Sequence, residues 1–416
     1  MLNVKRVVSE QNRLDEAVGL ACAIDLNVAY SETLNLKAIK PATYFSKGYI
    51  EKLKPVIEEN QLSLMIVDAL LSPIQQRNLE KELNIKVIDR TALILEIFGK
   101  RANTNEGKLQ VELAHLTYQR SRLVRSWTHL ERQRGGAGFL GGPGEKQIEL
   151  DRRIIDDKII KIKKELEKVK NTRHLQRGNR RKVPYPVVAI VGYTNAGKST
   201  LFNKLSGACV LAKDMLFATL DPTLRKIKLP SGNEVIFSDT VGFISDLPHE
   251  LIMAFRSTLE EVLEADVVVH VRDIVNEDTL LQKKDVLEVL ESIGLKEIET
   301  KPNYIEVLNK VDLLTSEEKN ILENKILNKS KEVVTVSAIT GYGCDKLCLA
   351  IDKILSAEFK QYTLEVDTSD GKLQAWLYKN AVVLHKFVKD DKTIFTIKID
   401  EANYKRLNSL FSLKLT

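Results

Sequence analysis

The sequence predicts an α/β fold: a large central α/β domain, preceded by a small α/β domain and a helical hairpin and followed by a small α+β domain. Three observations support this. Apolar strands alternate with helical patterns up to about residue 101, two long helical seams flank the stretch GGAGFLGGPG, and a buried strand runs into a phosphate-loop pattern at residues 187–199. The length of 416 residues suits two to four domains, and we expect their bounds at 1–104, 105–182, 183–357 and 358–416.

Composition limits the class of protein. Hydrophobic content of 44% and a mean hydropathy of −0.17 describe a globular chain, and no stretch approaches the length of a membrane-spanning helix. The start, MLNVKRVVSEQNR, lacks the apolar core of a signal peptide, so we expect a cytoplasmic protein without membrane insertion. We also expect it to be a monomer. The four cysteines are scattered, which favours structural burial over zinc or redox chemistry.

The first domain is predicted from alternating element types. Strands are expected in VKRVV, SLMIVDA and IKVID, and helices in GYIEKLKPVIEE, SPIQQRNLEKEL and DRTALILEIFGKR. This order indicates a small domain with a largely parallel sheet.

Two apolar seams with helical spacing predict an antiparallel hairpin. The first seam consists of Leu109, Leu113, Leu116, Leu123, Trp127 and Leu130, and the second of Ile148, Ile155, Ile159, Ile162, Leu166 and Val169. Arg120 and Arg152 are the polar seam positions. Residues 157–182 are strongly basic, which indicates either attraction to polyanions or a solvated helix face with a linker.

The glycine-rich stretch would be the tip of this hairpin. Gly136, Gly138 and Gly141 match G-x-G-x-x-G, but the dinucleotide-binding motif needs a preceding strand, and here a helix precedes it. A plain connector between helices needs two to five residues, so the longer tip is expected to be functional.

The central domain carries a phosphate-binding pattern. Gly192-x4-Gly197-Lys198-Ser199 follows a β-branched strand and precedes a helix, so its amides and helix N-terminus would bind phosphates. Lys198 would bridge the β- and γ-phosphates, and the Ser199 hydroxyl would ligate Mg²⁺. Downstream, Asp239 suits a water-mediated Mg²⁺ contact and the Gly242 N–H can contact a γ-phosphate. In LFATLDPT, Thr219 would add a second hydroxyl to Mg²⁺, and Thr223 is the weaker alternative.

A guanine-reading set completes the central domain. Asn309-Lys310-x-Asp312 follows a strand, and the Asp312 carboxylate can accept from both N1–H and the 2-amino group of guanine. The Ala338 N–H is expected to meet guanine O6, with Ser337 fixing that loop. The motifs occur in the order of an unpermuted P-loop GTPase domain that binds GTP and GDP with Mg²⁺ as cofactor. Expected GTP contacts are Gly192, Tyr193, Thr194, Asn195, Ala196, Gly197, Lys198, Ser199, Thr200, Phe217, Ala218, Thr219, Leu220, Asp221, Asp239, Thr240, Val241, Gly242, Asn309, Lys310, Val311, Asp312, Ser337, Ala338 and Ile339.

Within that set we assign catalysis to Lys198, Thr219 and Gly242, and the metal to Ser199 and Thr219. Phe243 occupies the position at which Ras-like GTPases carry a water-orienting glutamine. Because phenylalanine cannot hydrogen-bond, slow intrinsic hydrolysis is expected.

The C-terminal stretch predicts strand-helix-strand-strand-helix order, with a hairpin turn near Asp390 and Asp391. Trp376 and His385 are expected in its core or at its rim rather than in a ligand site.

Several longer runs resemble one family. VIDRTALILEIFGKRANTNEGKLQVELAHL, GGPGEKQIELDRR, GYTNAGKSTLFNKLSG, LFATLDPT and DTVGF together look like the HflX family of ribosome-associated GTPases, over about Arg6 to Leu355. Lys146 stands where family members commonly carry threonine. The resemblance implies binding to the large (50S) ribosomal subunit and its rRNA, with GTP-dependent splitting or rescue of 70S ribosomes or a role in subunit maturation.

Two other functions stay open. The first is a tRNA-modifying GTPase of the type that has a reactive cysteine near the C-terminus, whereas in this sequence no cysteine follows Cys348. A signalling GTPase whose hairpin binds protein would fit the seam arginines equally well. Collapse of binding with added salt and RNase would separate RNA from protein as the partner.

Overall fold

The structure is a computed structural model, and it describes residues 10–133, 143–180, 185–207, 216–217, 223–246, 256–327, 332–357, 359–389 and 391–411. The chain divides into two compact units, Met1–Ile227 with Val235–Cys344 and Lys228–Glu234 with Asp345–Thr416. The predicted boundary at residue 358 falls one helix after the start of the second unit.

The first domain has the predicted elements that lie within the described residues. Its elements are α1 (Glu10–Cys22), α2 (Lys47–Glu59), β1 (Leu64–Val67), α3 (Pro73–Leu83), β2 (Lys86–Asp89) and α4 (Arg90–Arg101). The two strands pair in parallel, as predicted. The predicted strand VKRVV lies outside the described residues. The sequence pattern does not predict α1, because its buried face includes only Leu20 and Ala21 and its apolar periodicity is weak.

The hairpin consists of α5 (Asn105–Gln133) and α6 (Pro143–Arg180). Leu116, Ile159 and Ile162 are buried between the helices, which confirms the predicted seams over this part of the arm. Arg120 Nη1 contacts Asp156 Oδ1 at 3.0 Å, and Arg152 Nε lies 3.9 Å from Asp156 Oδ2, so both seam arginines meet one carboxylate. The glycine-rich tip, residues 135–144, lies largely outside the described residues.

A polar network fastens the base of the hairpin to the first domain. Asp89, which is fully buried and caps α4, accepts from the Tyr118 hydroxyl at 2.9 Å and from Arg122 Nη1 at 3.2 Å. Arg122 also donates to the Leu71 carbonyl at 3.2 Å and to Gln76. Because a buried carboxylate is costly without partners, this network fixes the middle of α5 against the first domain.

The central domain is built on a six-stranded sheet of order β4-β5-β3-β6-β7-β8. Its strands are β3 (Val187–Gly192), β4 (Thr223–Lys228), β5 (Glu234–Asp239), β6 (Val267–Asp273), β7 (Tyr304–Asn309) and β8 (Val333–Thr335). The helices between and after these strands in the first unit are α7 (Lys198–Ser206), α8 (Arg256–Leu263), α9 (Thr279–Ile293) and α10 (Ser316–Leu327). The next helix along the chain, α11 (Cys344–Ala357), belongs to the second unit from Asp345 onward.

The middle of this sheet is parallel. Strand β3 pairs in parallel with β5 and β6, and strand β7 pairs in parallel with β6 and β8. Strands buried on both faces are nearly continuous apolar runs, which is why VVAIVG and VVVHVRD form its centre. The carboxyl ends of β3, β5, β6 and β7 therefore place Gly192, Asp239, Asp273 and Asn309 along one edge.

The second unit confirms the predicted strand-helix-strand-strand-helix order. Its elements are β9 (Phe359–Asp367), α12 (Gly371–Asn380), β10 (Val382–Lys389), β11 (Lys392–Asp400) and α13 (Glu401–Phe411). The antiparallel sheet has the order β10-β11-β9, and its core includes Leu364, Phe395 and Leu407. Trp376 packs against this core and His385 is exposed at its rim.

Across the described parts of the chain, we find no helix with the length and apolar character needed to cross a bilayer.

Candidate nucleotide-binding site

The loop between β3 and α7 requires glycine at both predicted glycine positions. Gly192 has a φ of 152°, and a Cβ there would lie 2.2 Å from the Val271 carbonyl oxygen of β6. Gly197 has a φ of 91°, and a Cβ there would lie 2.2 Å from Asn309 Nδ2. Any side chain would clash or strain the backbone, so these glycines let the loop close tightly against its neighbours.

Lys198 begins α7 and is buried. Its Nζ donates to the Tyr193 carbonyl at 2.7 Å. Burial lowers the pKa of Lys198 to about 8, because removal from water disfavours the ammonium form, and the nearby Asp239 carboxylate offsets only part of that effect. A phosphate at this position would supply the missing counter-charge.

This pKa predicts a pH-dependent affinity for nucleotides. The protein without nucleotide loses the Lys198 proton as pH rises through about 8, whereas a bound phosphate favours the protonated form. We expect the affinity for GDP to fall roughly tenfold between about pH 7 and pH 9. Calorimetric titration across that range measures it.

Guanosine, which has no phosphate, is the control for this pH series. Its affinity, measured by competition, should change little over the same range. A flat GDP profile, or a profile that guanosine reproduces, would contradict the role given to the Lys198 ammonium.

The predicted magnesium ligand Ser199 lies beside Asp239, which is expected to contact the ion through water, at the carboxyl end of β5. Ser199 Oγ donates to Asp239 Oδ2 at 2.7 Å, and Asp239 is fully buried. A hydroxyl beside a carboxylate is an oxygen donor set that suits Mg²⁺, which keeps waters and substrate phosphates as its other ligands. Within the described ranges no group of three or more His, Cys, Asp or Glu residues could hold a metal ion by itself. The set thus fits a metal that is shared with a bound nucleotide.

Most of the nucleotide contacts predicted in LFATLDPT lie outside the described residues. These are Ala218, Thr219, Leu220 and Asp221. Phe217 is described, with a φ of 55°, and its ring packs edge-on against Phe98 with a centroid separation of 4.7 Å. The Phe217 side chain is therefore part of the core, and its predicted contact with the nucleotide stays a prediction. Thr223, the weaker alternative to Thr219, is the first residue of β4.

The segment after Asp239 runs alongside the phosphate loop. The Thr194 N–H donates to the Phe243 carbonyl at 2.7 Å, and the Phe243 N–H donates to the Gly192 carbonyl at 3.1 Å. Gly242 is so close that a Cβ there would lie 3.0 Å from Lys198 Nζ. Phe243 itself is 1% exposed, so its ring fills core space and is not placed to orient water.

The guanine-reading residues form one connected group. Asn309 Nδ2 donates to the Ala196 carbonyl at 2.9 Å, and Asn309 Oδ1 accepts from the Ala338 N–H at 3.0 Å. Asn309 thus ties the phosphate loop to the loop after β8. The Ala338 N–H, which the sequence assigns to guanine O6, has this side chain as its partner here. Ser337 is buried and its Oγ accepts from the Thr340 N–H at 3.1 Å, which matches its predicted loop-fixing role.

Asp312 and Lys310 flank the turn after β7. Asp312 is half-buried in the turn Val311–Leu313, while Ile339, in the loop after β8, is 72% exposed. Lys310 Nζ contacts Asp273 Oδ2 at 2.7 Å. Asp273 lies in none of the predicted motifs. Its position at the carboxyl end of the strand next to β7 is the signal that could have found it.

Four family models match successive parts of the chain. They are described as GTP-binding GTPase N-terminal (residues 11–99), GTP-binding GTPase Middle Region (101–180), 50S ribosome-binding GTPase (187–310) and HflX C-terminal domain (322–410).

Curated relatives match over nearly the whole chain. GTPase HflX of Magnetococcus marinus is 48% identical over 397 residues, which cover 95% of this chain and 90% of the relative. GTPase HflX of Escherichia coli K12 is 41% identical over 395 residues, covering 95% of this chain and 91% of the relative. The crystal structure of SsGBP with GDP is similar with a TM-score of 0.50 and 25% identity, over 83% of this chain and 96% of that one.

Proposed function

Because this chain belongs to the HflX family of GTPases, which bind and hydrolyse GTP, we propose that it binds the large (50S) ribosomal subunit under the control of its nucleotide. In this proposal the GTP-bound protein splits or rescues 70S ribosomes or acts in subunit maturation, and it does so in the cytoplasm, where ribosomes are found.

The observation that carries the proposal is a basic arm with a fixed base. Residues 157–182 contain eleven lysines and arginines against three acidic residues. The described lysines of this stretch, Lys158, Lys161, Lys163, Lys164 and Lys168, are exposed. The Asp89 network holds the other helix of the arm against the first domain. A rigid basic rod suits the phosphate backbone of folded RNA, which attracts cations whatever its sequence.

Magnesium belongs to this proposal. Ser199 and Thr219 would ligate the ion and Asp239 would hold one of its waters, and the ion would neutralise charge on the β- and γ-phosphates. The chain's own groups do the remaining work. Lys198 would orient the phosphates from the α7 side, and the Gly242 N–H would contact the γ-phosphate from the segment after β5.

The direct test is a sucrose-gradient profile of 70S ribosomes mixed with the protein. With a non-hydrolysable GTP analogue we expect the protein to migrate with 50S subunits and the 70S peak to shrink, whereas with GDP both effects should be weak. Equal association with both nucleotides would contradict the proposed control. Association that resists both RNase and high salt would instead support the protein-binding alternative.

The glycine-rich tip gives a second prediction. Replacing residues 135–144 by a two-residue turn should leave GTP affinity unchanged, because the nucleotide site is built from other residues, but should weaken ribosome co-sedimentation about tenfold or more if the tip enters a narrow RNA crevice. The matched control replaces only Phe139 and Leu140 by alanine, which keeps the length of the tip. Undiminished co-sedimentation of the shortened variant would rule out a binding role for the tip.

A further inference from the structure

The segment after Gly242 is held by residues of the first domain as well as by the phosphate loop. The Ser245 N–H donates to the Tyr193 hydroxyl at 2.8 Å, and that hydroxyl donates to Glu16 Oε2 of α1 at 2.5 Å. Tyr193 is a phosphate-loop residue, so its hydroxyl joins three separate parts of the chain.

Arg90, the first residue of α4, completes this network. Its Nη2 donates to Glu16 Oε1 at 2.5 Å, to the Ser245 carbonyl at 3.2 Å and to Ser245 Oγ at 3.3 Å. Its Nη1 pairs with Asp68 at the end of β1. Arg90 is 5% exposed and Glu16 is 16% exposed, so the interactions are largely shielded from solvent.

Each ionisable group in this network has a partner within it. Burial raises the pKa of Tyr193, and the Glu16 carboxylate raises it further, so the hydroxyl stays protonated and able to donate. Burial alone would lower the pKa of Arg90, but the Asp68 and Glu16 carboxylates outweigh it and raise that pKa. Two carboxylates around one guanidinium fix the geometry, since each acceptor takes a different N–H direction.

Apolar packing supports the same contact. Leu20 of α1 and Phe98 of α4 share one core with Phe243 and Ile244 of the segment after Gly242. Phe98 also packs against Phe217, which precedes the predicted magnesium ligand Thr219. Both loops expected to contact the γ-phosphate are therefore flanked by residues packed on the first domain.

We propose that Glu16 and Arg90 are positioning residues for the GTPase reaction. Acting through Tyr193 and Ser245, they keep Gly242 beside Lys198, so that its N–H is in place when the γ-phosphate arrives. This inference rests on the nucleotide site of the proposed function, and it assigns the preorganisation of that site to the first domain. A group held in place beforehand loses less entropy on binding, so the benefit falls on the triphosphate and not on GDP.

The test compares affinities for a non-hydrolysable GTP analogue and for GDP in the full-length protein without ribosomes. Tyr193→Phe removes only the shared hydroxyl, and Glu16→Ala removes its acceptor. We expect each to weaken analogue binding about tenfold, the size expected for one hydrogen bond to a charged group, while GDP affinity stays within about twofold. Steady-state turnover should show a lower kcat in both variants.

The double variant Tyr193→Phe/Glu16→Ala should be no worse than the more impaired single variant, because both remove the same link. Arg90→Lys keeps a charge beside Asp68 but cannot reach all three acceptors, so it should act in the same direction. Arg13→Ala is the matched control, since Arg13 pairs with Asp68 and Asp246 at the exposed rim without touching Tyr193 or Ser245.

Thermal unfolding of each variant identifies any that fail to fold. If Arg90→Lys fails to fold, Tyr193→Phe and Glu16→Ala decide the question. The inference is overturned if the ratio of analogue affinity to GDP affinity stays at the wild-type value in folded variants, including the case in which both affinities fall equally. It is also overturned if the affinity for the analogue rises. None of these readings depends on ribosomes, so failure of the proposed ribosomal function would leave this result standing.

Discussion

Replacement of Lys198 by alanine is expected to abolish tight binding of GTP and GDP. The ammonium group is buried between the phosphate loop and Gly242, and its contact within the described residues is the Tyr193 carbonyl. Removing a buried charged partner of an anion costs about 2–5 kcal/mol, which lowers affinity on the order of 100-fold or more. Titration of a fluorescent GDP or GTP analogue measures the loss.

The matched control for this prediction is Lys204→Ala. Lys204 lies in the last turn of the same helix and is exposed. The control therefore makes the same substitution in the same helix, and removes the same charge, without changing the phosphate loop. Nucleotide affinity within a factor of about two of wild type is expected for Lys204→Ala, since exposed charges contribute little. Tight binding retained by folded Lys198→Ala would mean that the phosphates lie elsewhere.

Replacement of Asp312 by asparagine is expected to change base preference from guanine to xanthine. In our assignment the Asp312 carboxylate would accept two hydrogen bonds from guanine, and asparagine would instead offer one acceptor and one donor. Xanthine carries an oxygen where guanine carries its 2-amino group, so it matches that new pattern. Because unpaired polar groups in a buried site are costly, GTP affinity should fall on the order of 1,000-fold while the affinity for xanthosine triphosphate rises.

Competition between GTP and xanthosine triphosphate for a fluorescent nucleotide measures this exchange. Asp157→Asn, an exposed aspartate on α6, is the control for a lost negative charge and should leave the preference for GTP unchanged. An Asp312→Asn protein that still prefers GTP would show that another side chain reads the base. The Lys310–Asp273 contact and the Asn309 links hold the neighbouring turn, which would let a single carboxylate select the base.

The burial of Phe243 gives a physical reason for the missing glutamine. A water-orienting side chain must face the γ-phosphate, whereas Phe243 packs into a core that α1 and α4 share with the central domain. That position serves the contact between domains. The expectation of slow intrinsic hydrolysis follows from the absence of a hydrogen-bonding group at this residue, and the network around Ser245 offers a way to hold the neighbouring backbone instead.

Much of the fold and of the nucleotide site could be predicted from local patterns. The glycines of the phosphate loop, Lys198, Ser199, Asp239 and Asn309 lie within short motifs whose flanking strands and helices have clear periodicity. The hairpin was predictable for the same reason, since its seams repeat over many turns and the structure buries Leu116 against Ile159 and Ile162. The helix α1 could not be predicted in this way, because its buried face is small. Its polar face contacts residues that are far away along the sequence.

What the sequence alone determined is therefore the set of groups that we assign to phosphate, metal and base, because that chemistry requires particular residue types at fixed spacing within each short motif. Only the tertiary structure decided which residues support them. Glu16 is separated from Tyr193 by 177 positions and from Ser245 by 229, and Asp273 reaches Lys310 across two neighbouring strands. Such partners are chosen by the folding of the backbone, which brings them within hydrogen-bonding distance, and no spacing along the chain records them.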